Sequence, residues 1–149
     1  MQNVIEQEIT INAGLERVWD LVTEPGWWVP AEQPAPADRT PGTVVERVSE
    51  KCGRFPVQVV ELTPRSYAAF RWASQFPGED LAQGQTTLIE FFVQEEPGSS
   101  VRVKVRESGF AELEAPQEVR ESGFKANTEG WGMELGDLRK RAEAAAAGR

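Results

Sequence analysis

Few side chains in this sequence can do chemistry. Its 149 residues include no histidine, one cysteine (Cys52) and one tyrosine (Tyr67). A Ser-His-Asp triad, an imidazole base and a histidine metal site are therefore excluded. A single cysteine also leaves no internal disulfide, no CxxC redox pair and no cysteine zinc site, and Cys52 lacks the histidine partner that would make it a nucleophile. Carboxylates, Tyr67, arginines and lysines remain. A glutamate becomes a general acid or base when desolvation raises its pKa. Glu46 and Glu90 each stand mid-strand beside apolar neighbours, where either could face inward. Strand alternation more often puts such residues on the solvated face. The carboxylates form no Asp-rich loop for a hard cation. Gly130, Gly132 and Gly136 lie inside a helical stripe and not at a strand-to-helix turn, so they do not make a phosphate cradle. No metal and no cofactor is expected. With 24 acidic against 16 basic residues and a formal charge of −8, the chain lacks the basic footprint of a nucleic-acid binder. Five tryptophans and seven phenylalanines are its most distinctive chemical content.

The elements that must position these residues follow from periodicity. Ile5, Ile9 and Ile11 alternate with Glu6, Glu8 and Thr10, the pattern of a half-buried strand. Asn12 is expected to cap a helix carrying Leu15, Val18, Trp19 and Val22 on one face, ended by Pro25-Gly26. Trp27-Trp28-Val29 is expected to form a single helical turn. Two adjacent tryptophans do not easily both enter one core, so at least one is expected to line or cover a pocket mouth. Residues 30–42 hold Pro30, Pro34, Pro36 and Pro41 and are expected to be irregular and mobile. Strands are predicted over Thr43–Glu50, Phe55–Leu62, Tyr67–Ala73, Thr86–Gln94 and from Val101 to Glu107, joined by hairpin-length connections as in an antiparallel meander. Phe70 and Trp72 share one face of their strand, and Tyr67, Ala69 and Arg71 the other. Phe124, Thr128, Trp131, Leu135, Leu138 and Ala142 then recur at spacings of four and three residues, a long helical stripe with a frayed tail over 143–149. The hexapeptide VRESGF occurs twice, at 105–110 and 119–124. Its first copy continues a strand pattern and its second opens the helical stripe.

This order of elements resembles the helix-grip fold of the Bet v 1-like, START-like (SRPBCC) superfamily, an α+β architecture. In it, a curved antiparallel sheet of about six strands wraps a long C-terminal helix, with short helices after the first strand. Glu16-Arg17-Val18-Trp19 and Glu61-Leu62-Thr63-Pro64-Arg65, leading to Phe70-Arg71-Trp72, are similar to motifs of that superfamily. Glu107-Ser-Gly-Phe110, Asn127-Thr-Glu-Gly-Trp131 and Leu135-x-x-Leu138 resemble the ending of the activator of heat-shock-protein-90 ATPase homologue family. The turn has one proline where the superfamily pattern has two, and the glycine-rich entry to the second strand is reduced to Pro41-Gly42. The resemblance spans nearly the whole chain and implies a single helix-grip domain over 1–149.

The resemblance also implies a cavity between sheet and long helix, and hence binding of a small hydrophobic molecule, lipid-like, aromatic or polyketide-like. Trp27, Trp28, Phe70, Trp72, Phe91, Val103, Phe110, Trp131 and Leu135 are the expected ligand-binding residues. Two alternatives stand beside this reading: a polyketide cyclase or aromatase using Glu46, Glu90 or Tyr67, and an interaction module for a chaperone-type protein partner. The N-terminus has no basic segment followed by an apolar run, and no stretch is long and apolar enough to span a membrane. A cytoplasmic protein, monomer or homodimer, is expected.

Overall fold

Alternation sets the first strand, β1 (Val4–Ile11): Ile5 and Ile11 are buried, while Val4, Glu6, Glu8 and Thr10 are exposed. The computed structural model describes residues 3–31, 33, 38–74, 76, 79–81 and 84–147, and side chains up to residue 144. The expected irregular stretch at 30–42 and the connection at 76–84 therefore lie partly outside the described residues, as does the end of the expected frayed tail.

Helix α1 (Leu15–Val22) buries Val18, Leu21 and Val22. Its cap is Gly14 in extended conformation, without a side-chain cap bond, and not Asn12. The Asn12 backbone N–H instead reaches the Glu143 carboxylate at 2.8 Å. After α1 the chain makes hydrogen-bonded turns and not a second helix. The Trp27 N–H donates to the Glu24 carbonyl at 3.1 Å and the Val29 N–H to the Gly26 carbonyl at 2.9 Å. Gly26 has φ +72°, a left-handed conformation that glycine adopts without steric cost. The Arg47 side chain packs directly against it.

Strands β2 (Val44–Ser49), β3 (Gly53–Thr63), β4 (Tyr67–Trp72), β5 (Thr87–Glu96) and β6 (Ser100–Ser108) follow. With β1 they form one antiparallel sheet in the order β1-β6-β5-β4-β3-β2. From β2 to β6 consecutive strands pair as hairpins, and β1 closes against β6. Ile89, Phe91, Val103 and Val105 are fully buried. A three-residue turn of 3₁₀ helix (Phe110–Glu112) leads into helix α2 (Gln117–Ala147).

Helix α2 is seven residues longer at its start than the Phe124–Ala142 stripe, because the second VRESGF is helical. There Val119 is exposed, whereas Val105 of the first copy is buried in the sheet. Trp131, Leu135, Leu138 and Ala142 face inward as the spacing predicts. The helix packs chiefly along β1, where the Gln7 side-chain amide donates to the Thr128 carbonyl at 2.6 Å. No helix among the described residues is long and apolar enough to cross a membrane.

Two glycines separate backbone strain from helix propensity. Gly26→Ala forces a side chain into a left-handed position already occupied by Arg47 and should destabilise by about 1–2 kcal/mol or more. Gly136→Ala, whose added Cβ meets no atom within 4 Å, should stabilise α2 by about 1 kcal/mol. Urea denaturation of both variants measures these opposite signs.

Candidate functional site

Val101, Val103 and Val105 point inward along β6, and the same parity places Glu107 inward too. Its side chain is fully buried. An isolated carboxylate there would be prohibitively costly, and the fold surrounds it with donors. The indole Nε1–H of Trp72 and the hydroxyl of Thr87 donate to Oε2 at 2.9 and 2.6 Å. Trp131 Nε1–H donates to Oε1 at 2.8 Å, and the Asn127 side-chain amide reaches both oxygens at 3.1 and 3.2 Å. Trp72 and Thr87 are directly opposite each other across β4 and β5. Asn127 and Trp131 are four residues apart, hence on one face of α2. The carboxyl group thus ties two strands to the helix.

Burial pushes the Glu107 pKa upward, and the four donors oppose that shift. An ionised carboxylate has about four acceptor positions, and here all are engaged. The indoles of Trp72 and Trp131 can only donate, and Asn127 presents its amide N–H₂ to both oxygens. The Thr87 hydroxyl, unlike the indoles, can accept as well as donate. Glu107 is therefore a positioning group that locks two indoles, and it has no free lone pair to offer a reacting molecule.

Beside this lock lies a cavity of about 180 Å³. Trp28, Trp72 and Trp131 form its aromatic walls. Ala126, Asn127, Gly130 and Glu134 line its helix side. Trp28 meets Trp72 edge-to-face at 5.6 Å and Trp131 at a tilt, 5.7 Å between ring centroids. A Cβ added at Gly130 would touch nothing within 4 Å, so this glycine leaves the cavity open. Glu134 is half-buried, and desolvation, with the nearby Asp137 charge, pushes its pKa up to about 7. No lysine or arginine among the described residues pairs with it.

Of the residues expected to bind ligand, Trp28, Trp72 and Trp131 line this cavity. Trp27, Phe70, Phe91, Val103, Phe110 and Leu135 do not; they fill the core. Trp27 touches Trp28, Phe91 and Trp131, and Phe110 packs on Phe124. Both adjacent tryptophans are buried, and Trp28 lines the cavity while Trp27 belongs to the core. The turns at Gly26 let their rings meet edge-to-face at 5.9 Å inside one core. Each keeps a buried indole N–H without a partner among the described residues.

The expected catalytic candidates sit elsewhere. Glu46 is exposed and ion-pairs with Arg54, which holds its pKa low. Glu90 accepts a 2.5 Å hydrogen bond from the Tyr67 hydroxyl on the sheet face turned away from α2. Burial and that bond push the Tyr67 pKa upward. Alternation explains all three: Glu46 and Glu90 share parity with the exposed Val44 and Phe92, and Tyr67 with the exposed Arg71. A wider hollow of about 640 Å³, bordered by Arg71, Leu88 and Gly109, also opens on that outer face. No group of three or more potential metal ligands occurs among the described residues.

Glu107, Asn127 and Glu134 were not among the expected site residues. The parity of β6 pointed to Glu107, and helical spacing from Trp131 pointed to the other two.

No family model matches the chain, and no curated protein does. Solved structures do match. Protein MLL2253 from Mesorhizobium loti superposes with a TM-score of 0.69 at 15% identity, over 92% of this chain and 94% of that one. The Aha1 dimer from Colwellia psychrerythraea gives 0.68 at 14% identity, over 95% and 97%. DynU16, a putative protein of the dynemicin biosynthetic locus, gives 0.68 at 17%, over 97% of this chain and 49% of its own. The chain has the helix-grip, Bet v 1-like fold. At these identities the likeness extends to the fold alone.

Identical glutamates in the two VRESGF copies should behave oppositely. Glu107→Gln leaves obligate donors facing an NH₂ group and should cost about 2–4 kcal/mol. Glu121→Gln, on an exposed stretch of helix, should stay within about 0.5 kcal/mol of the parent in the same denaturant titration. The raised Glu134 pKa also has a sign. Its protonated form is favoured by folding, so its stabilisation is complete below the ordinary value of 4.5 and is lost as pH rises to about 7. Glu134→Gln should therefore be more stable than the parent near pH 8, and the difference should vanish near pH 4.

Proposed function

We propose that the protein binds a compact small molecule, without chemical conversion, in the cavity between α2 and the sheet. The observation that carries this reading is the walled space itself: three tryptophan faces, two of them fixed by Glu107, meet a helix made open by Gly130. Ligand pockets are characteristically apolar with a few orienting polar groups, and here Asn127 and Glu134 supply those. The size narrows the ligand. A dry cavity near 150 Å³ holds one benzene-sized molecule, so about 180 Å³ suits a single ring or a branched group of similar bulk and not a whole lipid or polyketide.

The ending Gly130-Trp131-x3-Leu135-x2-Leu138 supports placing the chain with the activator of heat-shock-protein-90 ATPase homologues. The Aha1 likeness in fold is consistent with that. A second reading rests on Glu134: a cavity carboxyl whose pKa is pushed up to about 7 suits general acid–base chemistry. Under that reading Glu134 takes the role first considered for Glu46, Glu90 and Tyr67.

Native mass spectrometry of freshly purified protein, followed by tryptophan-fluorescence titration with single-ring and branched small molecules, tests binding. Gly130→Leu fills the cavity from a helix-favouring residue and should remove the response while helical circular dichroism is retained. Equal titrations of parent and variant would refute the cavity as the site.

A further inference from the structure

The chemistry of the cavity wall specifies more than size. Tryptophan is the best aromatic partner for a cation, because its ring face carries negative potential, and converging aromatic faces recognise alkylated ammonium groups. Three tryptophans converge here. The one ionisable side chain lining the cavity is an acid, Glu134, one helical turn after Gly130. It has no basic partner among the described residues, and its nearest charged neighbour in effect is another acid, Asp137. No lysine or arginine lines the cavity. The wall is thus electron-rich on its aromatic sides and acidic at its helix side, with nothing built in to neutralise it. The chain's net charge of −8 favours approach of cations further.

We propose that the cavity recognises an alkylated ammonium group of a free small molecule, its methyl surface against Trp28, Trp72 and Trp131 and its charge opposite Glu134. This rests on the cavity being the binding site, and adds the sign of the ligand's charge. A quaternary ammonium suits both demands of the wall. Its methyl groups present apolar surface to the indoles, and its delocalised charge needs no hydrogen-bond acceptor, which matters because the Glu107 acceptors are already occupied. Glu107 acts only by holding Trp72 and Trp131 in place.

The test compares choline with 3,3-dimethylbutan-1-ol, its uncharged carbon isostere, by isothermal titration calorimetry near pH 8.5, where Glu134 is ionised. Choline should bind at least about tenfold more tightly, as expected for a cation–π and counter-charge advantage of roughly 1.4 kcal/mol or more. Glu134→Gln should weaken choline several-fold and leave the isostere unchanged, and Gly130→Leu should abolish both. Equal or tighter binding of the isostere, blocked by Gly130→Leu, would overturn the cation and leave the cavity standing. If neither compound nor any neutral ring compound bound the parent protein, both would fall. Sedimentation with phosphatidylcholine vesicles separates the source of the group. Vesicle binding without binding of free choline would overturn the assignment to a free small molecule.

Discussion

The buried carboxylate of Glu107 is the interaction on which the arrangement depends. Removing an ionised group from water costs several kcal/mol even after relaxation, so the fold must return that cost through geometry. The donors come from β4, from the start of β5 and from two positions one turn apart on α2. Hydrophobic burial alone is non-directional and would tolerate small rotations of a long helix on its sheet. Directed bonds to one carboxylate do not. They set the rotation of α2, and this rotation decides that Gly130 and Glu134 border the cavity.

The four core tryptophans divide by how their indole N–H groups are treated. Those of Trp72 and Trp131 are spent on Glu107, whereas those of Trp27 and Trp28 are buried without partners. A buried unpaired donor costs about 1–3 kcal/mol. Area burial and edge-to-face or tilted ring contacts with Phe70, Phe91 and Trp131 offset this. Two rings are thus fixed by hydrogen bonds and two by packing alone, and the cavity lies where Trp28, fixed by packing, faces the bonded pair.

Much of the fold was legible because alternation and helical spacing are strong signals: β1, β4, β5 and β6 and the inward stripe of α2 all follow from them. The duplicated VRESGF shows where local sequence stops deciding. In β6 it lies between β1 and β5, and Val105 and Glu107 are buried by strand parity. At 119–124 the same six residues follow Pro116 into a helix with Val119 and Glu121 outward. Reading glutamates as solvated by default hid Glu107, although its position in the Val101-Val103-Val105 series marked it as inward. The Trp27-Trp28 turns were harder to foresee, since their direction depends on Gly26 meeting Arg47 from a strand that lies far off in sequence.

The size of the cavity follows from where α2 lies. The helix packs chiefly along β1, at one edge of the sheet, and so does not by itself cover β3, β4 and β5. The turns carrying Trp27 and Trp28 fill the space over those strands, with Trp28 against Phe70 and Trp72. What remains is the gap between Trp28 and the helix at Gly130. Enlarging it would mean withdrawing Trp28, and that segment is held by Gly26 against the buried Arg47 side chain and by the core contacts of Trp27. A ligand larger than the gap must therefore break close packing that a compact one leaves intact. The room left in the cavity is accordingly set by the Trp27-Trp28 turns, while the one ionisable side chain lining it, Glu134, comes from α2.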